Sequence, residues 1–570
     1  MPRQRHTSSN RLRTWGRGSD LTRRTLSRLA RLGLFALAIS LLALPAHGME
    51  GPRSPFGAGE WSQLSQAVAV RYWLANPLKA PVELRGRFEA ASRAVALARK
   101  AGTLPSPPHQ GIQGPAVVFN RDHSGLPQNE ESVAVCRSDP HTVLMGANDY
   151  RGFLDPDGNT TGWYLSTNGG KSVQQEGLLP AISQDGLNLP SAGDPVVVAD
   201  ASCNLFAGGL AFDPQSLFPN GIGIYRTTRA ALAACPGGAS PSCWPNRRLI
   251  ATAPDPTHFL DKPWFDVGDT GDGQHVWVSY TDFTSTGPGP LDITASIFAV
   301  RCTPDLATCS APIPISGSDQ DVQFSDVTVG PDGRTYLTWI GIVGELEGTP
   351  QRYTIKMRVA DAGSTDFGPT RVVDVENLPI PMGGFLHAED FRVSTYPKST
   401  VAMVDGTPRV FVVWDGCKFR PVGNICEEPR IKLRYSDDDG VTWSPLRILS
   451  KGGDNYFPTV AADPSGDLAA AWYTGRFDKL FHNRQDVELV SLDPATGKVR
   501  AGHRQRVTAI SNEPEADSFL GGAFIGDYIQ VFVNQGKAYL GFNANYAHLK
   551  FLGKGIPVSQ QDDYLAVLPL

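Results

Sequence analysis

The sequence has no surplus of positive charge. Its 52 Lys and Arg residues are outnumbered by 57 Asp and Glu, giving a formal net charge of −5 over 570 residues. A nucleic-acid binder needs a basic face to neutralise phosphates, so that class of partner is set aside. Long apolar runs are also missing: Leu32–Leu44 falls short of the ~20 residues that cross a bilayer as a helix. No Cys-x-x-Cys and no His-x-x-x-His spacing occurs, which removes the common thiolate and imidazole metal patterns. No cofactor is therefore expected; a bound calcium ion stays open, without assignable ligands.

Basic residues do gather near the start. Arg23, Arg24, Arg28 and Arg31 precede the apolar run, and Ala46-His47-Gly48 follows it. A charged n-region, a short apolar core and small residues at a cleavage site read as an export signal over 1–48, hence a secreted or periplasmic protein with no membrane span in the mature chain. The alternative is an uncleaved anchor. Thr22–Arg28 weakly resembles a twin-arginine signal, against the plainer reading of an Arg-rich n-region. The eight cysteines fit export. An even count in an exported chain reads as disulfides. Cys235 with Cys243, Cys302 with Cys309 and Cys417 with Cys426 would each close a short loop. That leaves Cys136 for Cys203.

Between 49 and 111 apolar residues recur at helical spacing, in Glu60–Pro77 and in Pro81–Gly102, and Thr103–Gly111 reads as a linker. From Ile112 onward the pattern becomes short strands and turns, and it repeats. Each unit has an apolar strand, a turn with Asp-Pro or Gly, and a second strand rich in Trp and Tyr, as in "YFPTVAADPSGDLAAAWYTGR" (456–476). Val133, Val196, Trp264, Asp326, Val393, Thr459 and Tyr528 stand as equivalents roughly 60 to 70 residues apart. Third and fourth strands follow, but the last unit ends at its third. Pro115–Asn120 can supply the missing strand, closing a ring without exposed edges. The fold class is therefore all-β: a seven-bladed β-propeller over 112–570 with a helical N-terminal extension. Six blades with an extra hairpin is the alternative.

"YSDDDGVTWS" (435–444) places three aspartates beside a glycine. In the pattern Ser436, Asp438, Gly440, Thr442 and Trp443, the short side-chain oxygens can bond turn amides and the glycine tolerates positive φ. Trp443 can bury its ring while its N–H finds a carbonyl. Weaker copies occur at Ser166–Val173 and Val359–Phe367, so the turn reads as a repeated structural staple. It resembles the Asp-box (bacterial neuraminidase repeat) propellers of the sialidase-like superfamily. That resemblance implies a propeller, usually exported and often acting on glycans, with these turns at the blade periphery.

Function is then expected where the axis opens. The starts of innermost strands carry Glu131, Asp194, Asp261, Asp390, Asn455 and Asp527; the ends of the next strands carry Asp149, Arg151, Asp282, Asp415, Arg476, Asn543 and Tyr546. Converging carboxylates raise one another's pKa, which suits acid–base work. Asp261, Asp282, Asp415 and Asp527 are the catalytic expectations, with Tyr528 of "GGAFIGDYIQ" (521–530) as nucleophile. Asp149, Arg151, Arg476, Asn543 and Tyr546 are expected to hold substrate. The bland reading of each is a solvated loop acid or a strand-end cap. "DTGDGQ" (269–274) reads as a turn, and "HAED" (387–390) as a metal corner without a partner histidine. The Phe/Tyr-Arg-Ile-Pro motif, which supplies the first arginine of the sialidase carboxylate clamp, is absent. Two readings result: a glycan-directed glycoside hydrolase, or a propeller that binds a glycan or protein at the envelope without catalysis. Nothing in the sequence sets an oligomeric state.

Overall fold

The computed structural model describes residues 66–101, 114–287, 292–319, 321–343, 351–378, 384–386, 389–420, 425–479, 484–517, 519–520 and 522–570. The export signal (1–48), the linker Thr103–Gly111 and His387 lie outside the described residues.

Seven antiparallel sheets follow one another along the chain, the blades of a β-propeller. Their innermost strands are Gln128–Val135, Val196–Ala199, His258–Asp269, Val322–Val329, Lys398–Val404, Asn455–Ala462 and Gln530–Asn534 in blades 1 to 7. Blade 7 continues with Lys537–Leu549 and Val558–Pro569 and takes its fourth strand from Ala116–Val118, which pairs Ala116 with Ala566 and Val118 with Tyr564. The ring is thus closed by both ends of the propeller sequence. Trp339, Trp414 and Trp472 take the same place in the second strands of blades 4, 5 and 6, fully buried between neighbouring sheets. Six blades is ruled out by this count.

The register differs from the expected one. Trp264, Asp326 and Thr459 do face their second strands at equivalent places, opposite Ser279, Thr338 and Ala471. Their partners in blades 1, 5 and 7 are Ser132, Lys398 and Gln530, not Val133, Val393 and Tyr528. Bulges open the innermost strands of blades 1, 3, 4 and 6, with Glu130, Lys262, Phe324 and Phe457 at positive φ inside register shifts, and that of blade 1 separates Val133 from the true position; blades 5 and 7 are offset without one. A bulge adds one residue that strand alternation does not reveal. Blade 5 departs further: Gly384–Leu386 and Arg392–Val393 pair with each other, and the former lies parallel to Ile425–Ser436.

An innermost strand has no neighbour on its axial edge, so its N–H groups need other acceptors. The adjacent blade supplies them. Ser132 accepts from Val197 N at 2.9 Å, Asp266 from Val329 N at 2.7 Å, Asp326 from Ser399 N at 2.8 Å, Thr400 from Ala462 N at 3.0 Å, Thr459 from Val531 N at 3.1 Å and Gln530 from Val133 N at 2.8 Å. Between blades 2 and 3, Asn220 accepts from Leu260 N at 3.0 Å.

All eight cysteines pair as expected. Cys136 joins Cys203, linking blade 1 to blade 2. Cys235 joins Cys243, Cys302 joins Cys309 and Cys417 joins Cys426, each across a short loop of 7 to 9 residues' separation. No cysteine is left free. The turn at 436–443 is held by its own side chains. Ser436 accepts from Gly440 N at 2.8 Å, Asp438 accepts from Thr442 N at 2.8 Å, and Gly440 has φ +79°. Ser166 and Asn168 repeat the arrangement on Gly170 N and Ser172 N. The Trp443 indole N–H, expected to meet a carbonyl, has no hydrogen-bond partner among the described residues.

Helix α1 (Gln66–Ala75) and helix α2 (Val82–Ala101) pack together, Trp73 edge-on to Phe88 at 5.5 Å. Every residue of α1 from Val68 to Leu74 is buried. It lies on the face where innermost strands begin, over blades 1 and 2, where Arg71 donates to the carbonyls of Gly158 and Ser191 and Asn76 donates to that of Gln215.

The blade-to-blade bonds make a direct prediction. Gln530→Ala leaves Val133 N and the Ser132 hydroxyl without their acceptor. The unfolding free energy from urea denaturation should fall by about 1–3 kcal/mol. A change within error would contradict the assigned role.

Candidate functional site

The residues expected to converge on an open axial surface instead fall into separate sets, most of them buried. At the axis, Asp527 is 0% exposed and takes a fork of bonds from Arg392 together with the ammonium of Lys262. Burial pushes the Asp527 carboxyl up, but Arg392 and Lys262 outweigh it and hold the group below the usual carboxylate range. Asp261 accepts from Lys262 N at 2.9 Å. Glu130 completes the set, accepting from Asp527 N and from the Asn148 amide; burial, then Asp194 and Asp527, push it well up. Tyr528 is buried, its hydroxyl donating to Pro195 O at 2.8 Å, and burial pushes it well above the usual phenol range. Trp264, Phe324, Tyr396 and Tyr528 pack ring against ring around the Lys398 ammonium. The upper axis is thus a packed plug.

A second set lines the seam between blades 7 and 1. Asp149 is gripped by the Arg151 guanidinium and by the Tyr164 hydroxyl at 2.9 Å, while Arg151 also reaches Glu176 at 2.9 Å. Beside it lie Glu131 and Asp563, two neighbouring carboxyls each 0% exposed. Burial pushes Glu131 up to about 8, and burial plus Glu131 and Asp562 push Asp563 well up. Asn543 donates to Ile525 O at 2.6 Å.

The remaining expected residues stand apart. Asp282 pairs with His258 at 3.0 Å. Asp415 is buried and pushed up to about 8 by burial, near the Glu376–Lys432 pair. Arg476 and Arg504 both bind Glu488. Tyr546 donates to Ile510 O at 2.6 Å. Asp194 is buried near Glu130, and its N–H donates to the Asn148 side chain at 3.0 Å. Asn455 is a strand-end cap, donating to the carbonyls of Pro429, Lys451 and Gly453. In 269–274, Asp272 is held by Arg301 and His275, within a turn. Among the described residues no group of three His, Cys, Asp or Glu is arranged to hold a metal ion.

One carboxyl pair on the strand-start face was missed. Glu389 and Glu515 are neighbours, both half-buried, at the entry to blade 5 and in the passage from blade 6 to blade 7. Glu515 accepts from the backbone N–H of Asp390, which is exposed. Burial, then the charges of Glu515 and Glu513, push Glu389 up to about 10, so it keeps its proton at neutral pH. Burial pushes Glu513 and Glu515 up as well. Gly522, at φ +81°, lets the chain run against Glu515: a Cβ there would lie 2.9 Å from the Glu515 Cβ. The "HAED" segment does flag Glu389, but as a metal corner. Its partner lies far along the chain, beyond the reach of spacing arguments. On the opposite face, a cavity of 140 Å³ along the axis is lined by Arg137, Asp266, Asp326, Lys398 and Gln530.

No family model matches the sequence, and no curated protein matches it. Solved structures do. The Hadza microbial sialidase Hz136 matches at 13% identity over 70% of this chain and 73% of its own, with a TM-score of 0.37. The GH93 α-L-arabinofuranosidase of Fusarium graminearum matches at 11% identity over 80% and 98%, TM-score 0.39, and the phage phi92 endosialidase at 12% over 80% and 69%, TM-score 0.38. The chain itself is a seven-bladed β-propeller.

The buried Glu131 carboxyl sets a sign for pH dependence. It is protonated in the fold up to about 8, whereas an unfolded glutamate ionises at about 4.3. Its contribution is therefore fully present below that lower value and is lost as pH rises through the folded one. Glu131→Gln mimics the protonated form. Its melting temperature relative to wild type should rise between pH 4 and pH 9. A constant difference across that window would contradict the protonated seam.

Proposed function

We propose that this chain is an exported, glycan-directed glycoside hydrolase that works at the strand-start face, with Glu389 as its proton donor. The observation that carries this reading is the half-buried Glu389 on a partly open surface, its proton held by burial and by the charge of Glu515. Cleaving a glycosidic bond requires an acid that still holds its proton at the working pH. Glu389 meets that need, and Glu515 is the neighbour whose charge keeps the proton in place. Glu389 and Glu515 are neighbours, and the charge of Glu515 acts on Glu389. They act as one proton-holding unit, and the exposed Asp390 is the carboxylate next to them in sequence. Arg151 and Arg476 are already paired with Asp149, Glu176 and Glu488. A sugar without a carboxylate therefore fits better than a sialoside. The signal-like segment and the disulfides support export.

The second reading, binding without catalysis, is favoured by the locked state of Asp527 and Tyr528. Both are held in buried contacts that leave no group free for chemistry.

A panel of chromogenic glycosides, turned over by the mature protein from Met49, separates the two. Glu389→Gln should lower kcat/KM on the best substrate by about 10²–10⁴-fold with an unchanged melting temperature. Glu515→Gln removes a charge that holds the proton, so the high-pH limb of the rate profile should move to lower pH. Hydrolysis unaffected by either change would remove Glu389 from the chemistry. No hydrolysis at all would favour the binding reading.

A further inference from the structure

The helical segment joins the propeller through apolar packing, Val68, Val70, Trp73 and Leu74 sharing one buried core with Tyr150, Phe153 and Phe212, and through few polar bonds. Ala116–Val118 is a strand of blade 7 and belongs to the ring. Helices α1 and α2 precede it and, among the described residues, have no disulfide, strand pairing or ion pair to the blades. Their polar attachments include Arg71 to Ser191 O at 3.0 Å and to Gly158 O at 2.7 Å, and Asn76 to Gln215 O at 3.2 Å. Cutting the chain in Thr103–Gly111 would leave the closing strand in place.

Arg71 is an odd residue for a merely stabilising helix. It is 3% exposed and pairs with no described carboxylate, and its guanidinium lies over the Phe212 ring at 5.1 Å. A buried charge without a partner charge is costly compared with an apolar side chain. The fit is also incomplete. The Arg71 Nε and the Thr160 hydroxyl are buried without a hydrogen-bond partner, and a void of about 10 Å³ lies between Arg71, Asn148, Asp149, Tyr150, Phe153 and Thr160. Two carbonyls and an aromatic face form a slot for a cation.

We infer that α1 and α2 are a detachable cover, that Arg71 occupies a cation slot on the strand-start face, and that the vacated slot takes the amine of an amino-bearing glycan. This rests on the glycan reading above for the ligand, but not for the cover. In the full chain the cover hides the slot; once released, a protonated sugar amine replaces the guanidinium on Gly158 O and Ser191 O.

The test uses the mature chain with a specific protease site inserted within Thr103–Gly111. After cleavage, gel filtration should separate the helical fragment from a folded propeller, more readily in Arg71→Ala. The segment-free propeller should bind a glucosamine tetramer at least tenfold more tightly than its N-acetylated counterpart, and the uncut chain should bind neither. A fragment that stays bound in both the cut wild type and cut Arg71→Ala overturns the cover. Equal binding of the two tetramers, or of neither together with no binding of arginine amide, overturns the slot. Binding of arginine amide with neither tetramer upholds the slot and removes the glycan reading.

Discussion

Seven strands face one another across the axis without a sheet partner on that side, and their N–H groups cannot be left unpaired. The sequence meets this with one short acceptor per junction. Ser132, Asp266, Asp326, Thr400, Thr459 and Gln530 each reach the backbone of the next blade, and Asn220 does so between blades 2 and 3. These bonds join sheets that also meet through apolar packing, the Cys136–Cys203 disulfide and ion pairs such as Lys432 with Glu376. Because each acceptor sits at the same register position or two residues further, they also fix how neighbouring blades slide against each other. The closing strand Ala116–Val118 then only completes a ring whose blades are already keyed.

That constraint shapes where chemistry can sit. The bulges that start the innermost strands of blades 1, 3, 4 and 6 put Glu130, Lys262, Phe324 and Phe457 at positive φ. In the structure this region fills with the Asp527–Lys262–Arg392 set and the ring cluster around Lys398. A charge triad at 0–4% exposure is held by mutual pairing, and removing one member would strand the others. Such a core is ill suited to exchanging protons with a ligand. Glu389 and Glu515 differ in one physical respect: they are buried enough to hold a proton and exposed enough to meet a substrate.

Much of the architecture can be read from the chain. The repeat rhythm yields the blade count, and the truncated last unit points to Pro115–Asn120. Cysteine spacing yields the three short-loop disulfides, Cys235–Cys243, Cys302–Cys309 and Cys417–Cys426, and by remainder Cys136–Cys203. These features are local, or they recur. The turn at Ser436–Trp443 is legible for the same reason: every bond in it spans at most four residues. The site is not. Position along a strand does not distinguish Asp527, locked by Arg392 from 135 residues away, from an open carboxylate. The Glu389–Glu515 pair joins an insertion in blade 5 to the passage into blade 7, a contact that only the closed ring creates. The bulges, too, leave no trace in apolar alternation, which is why that pattern puts Val133 one residue from the true axial position; Tyr528 stands two residues from Gln530 in a strand without a bulge.

The proton on Glu389 is the claim on which the functional account turns. Carbon-13 NMR of the glutamate side-chain carboxyls, with the Glu389 signal assigned by its loss in Glu389→Gln, follows that proton directly. The account requires a carboxyl that stays protonated at pH 7 and titrates at about 10. A Glu389 signal already ionised at pH 7, titrating near the ordinary ~4.3 of glutamate, would contradict it.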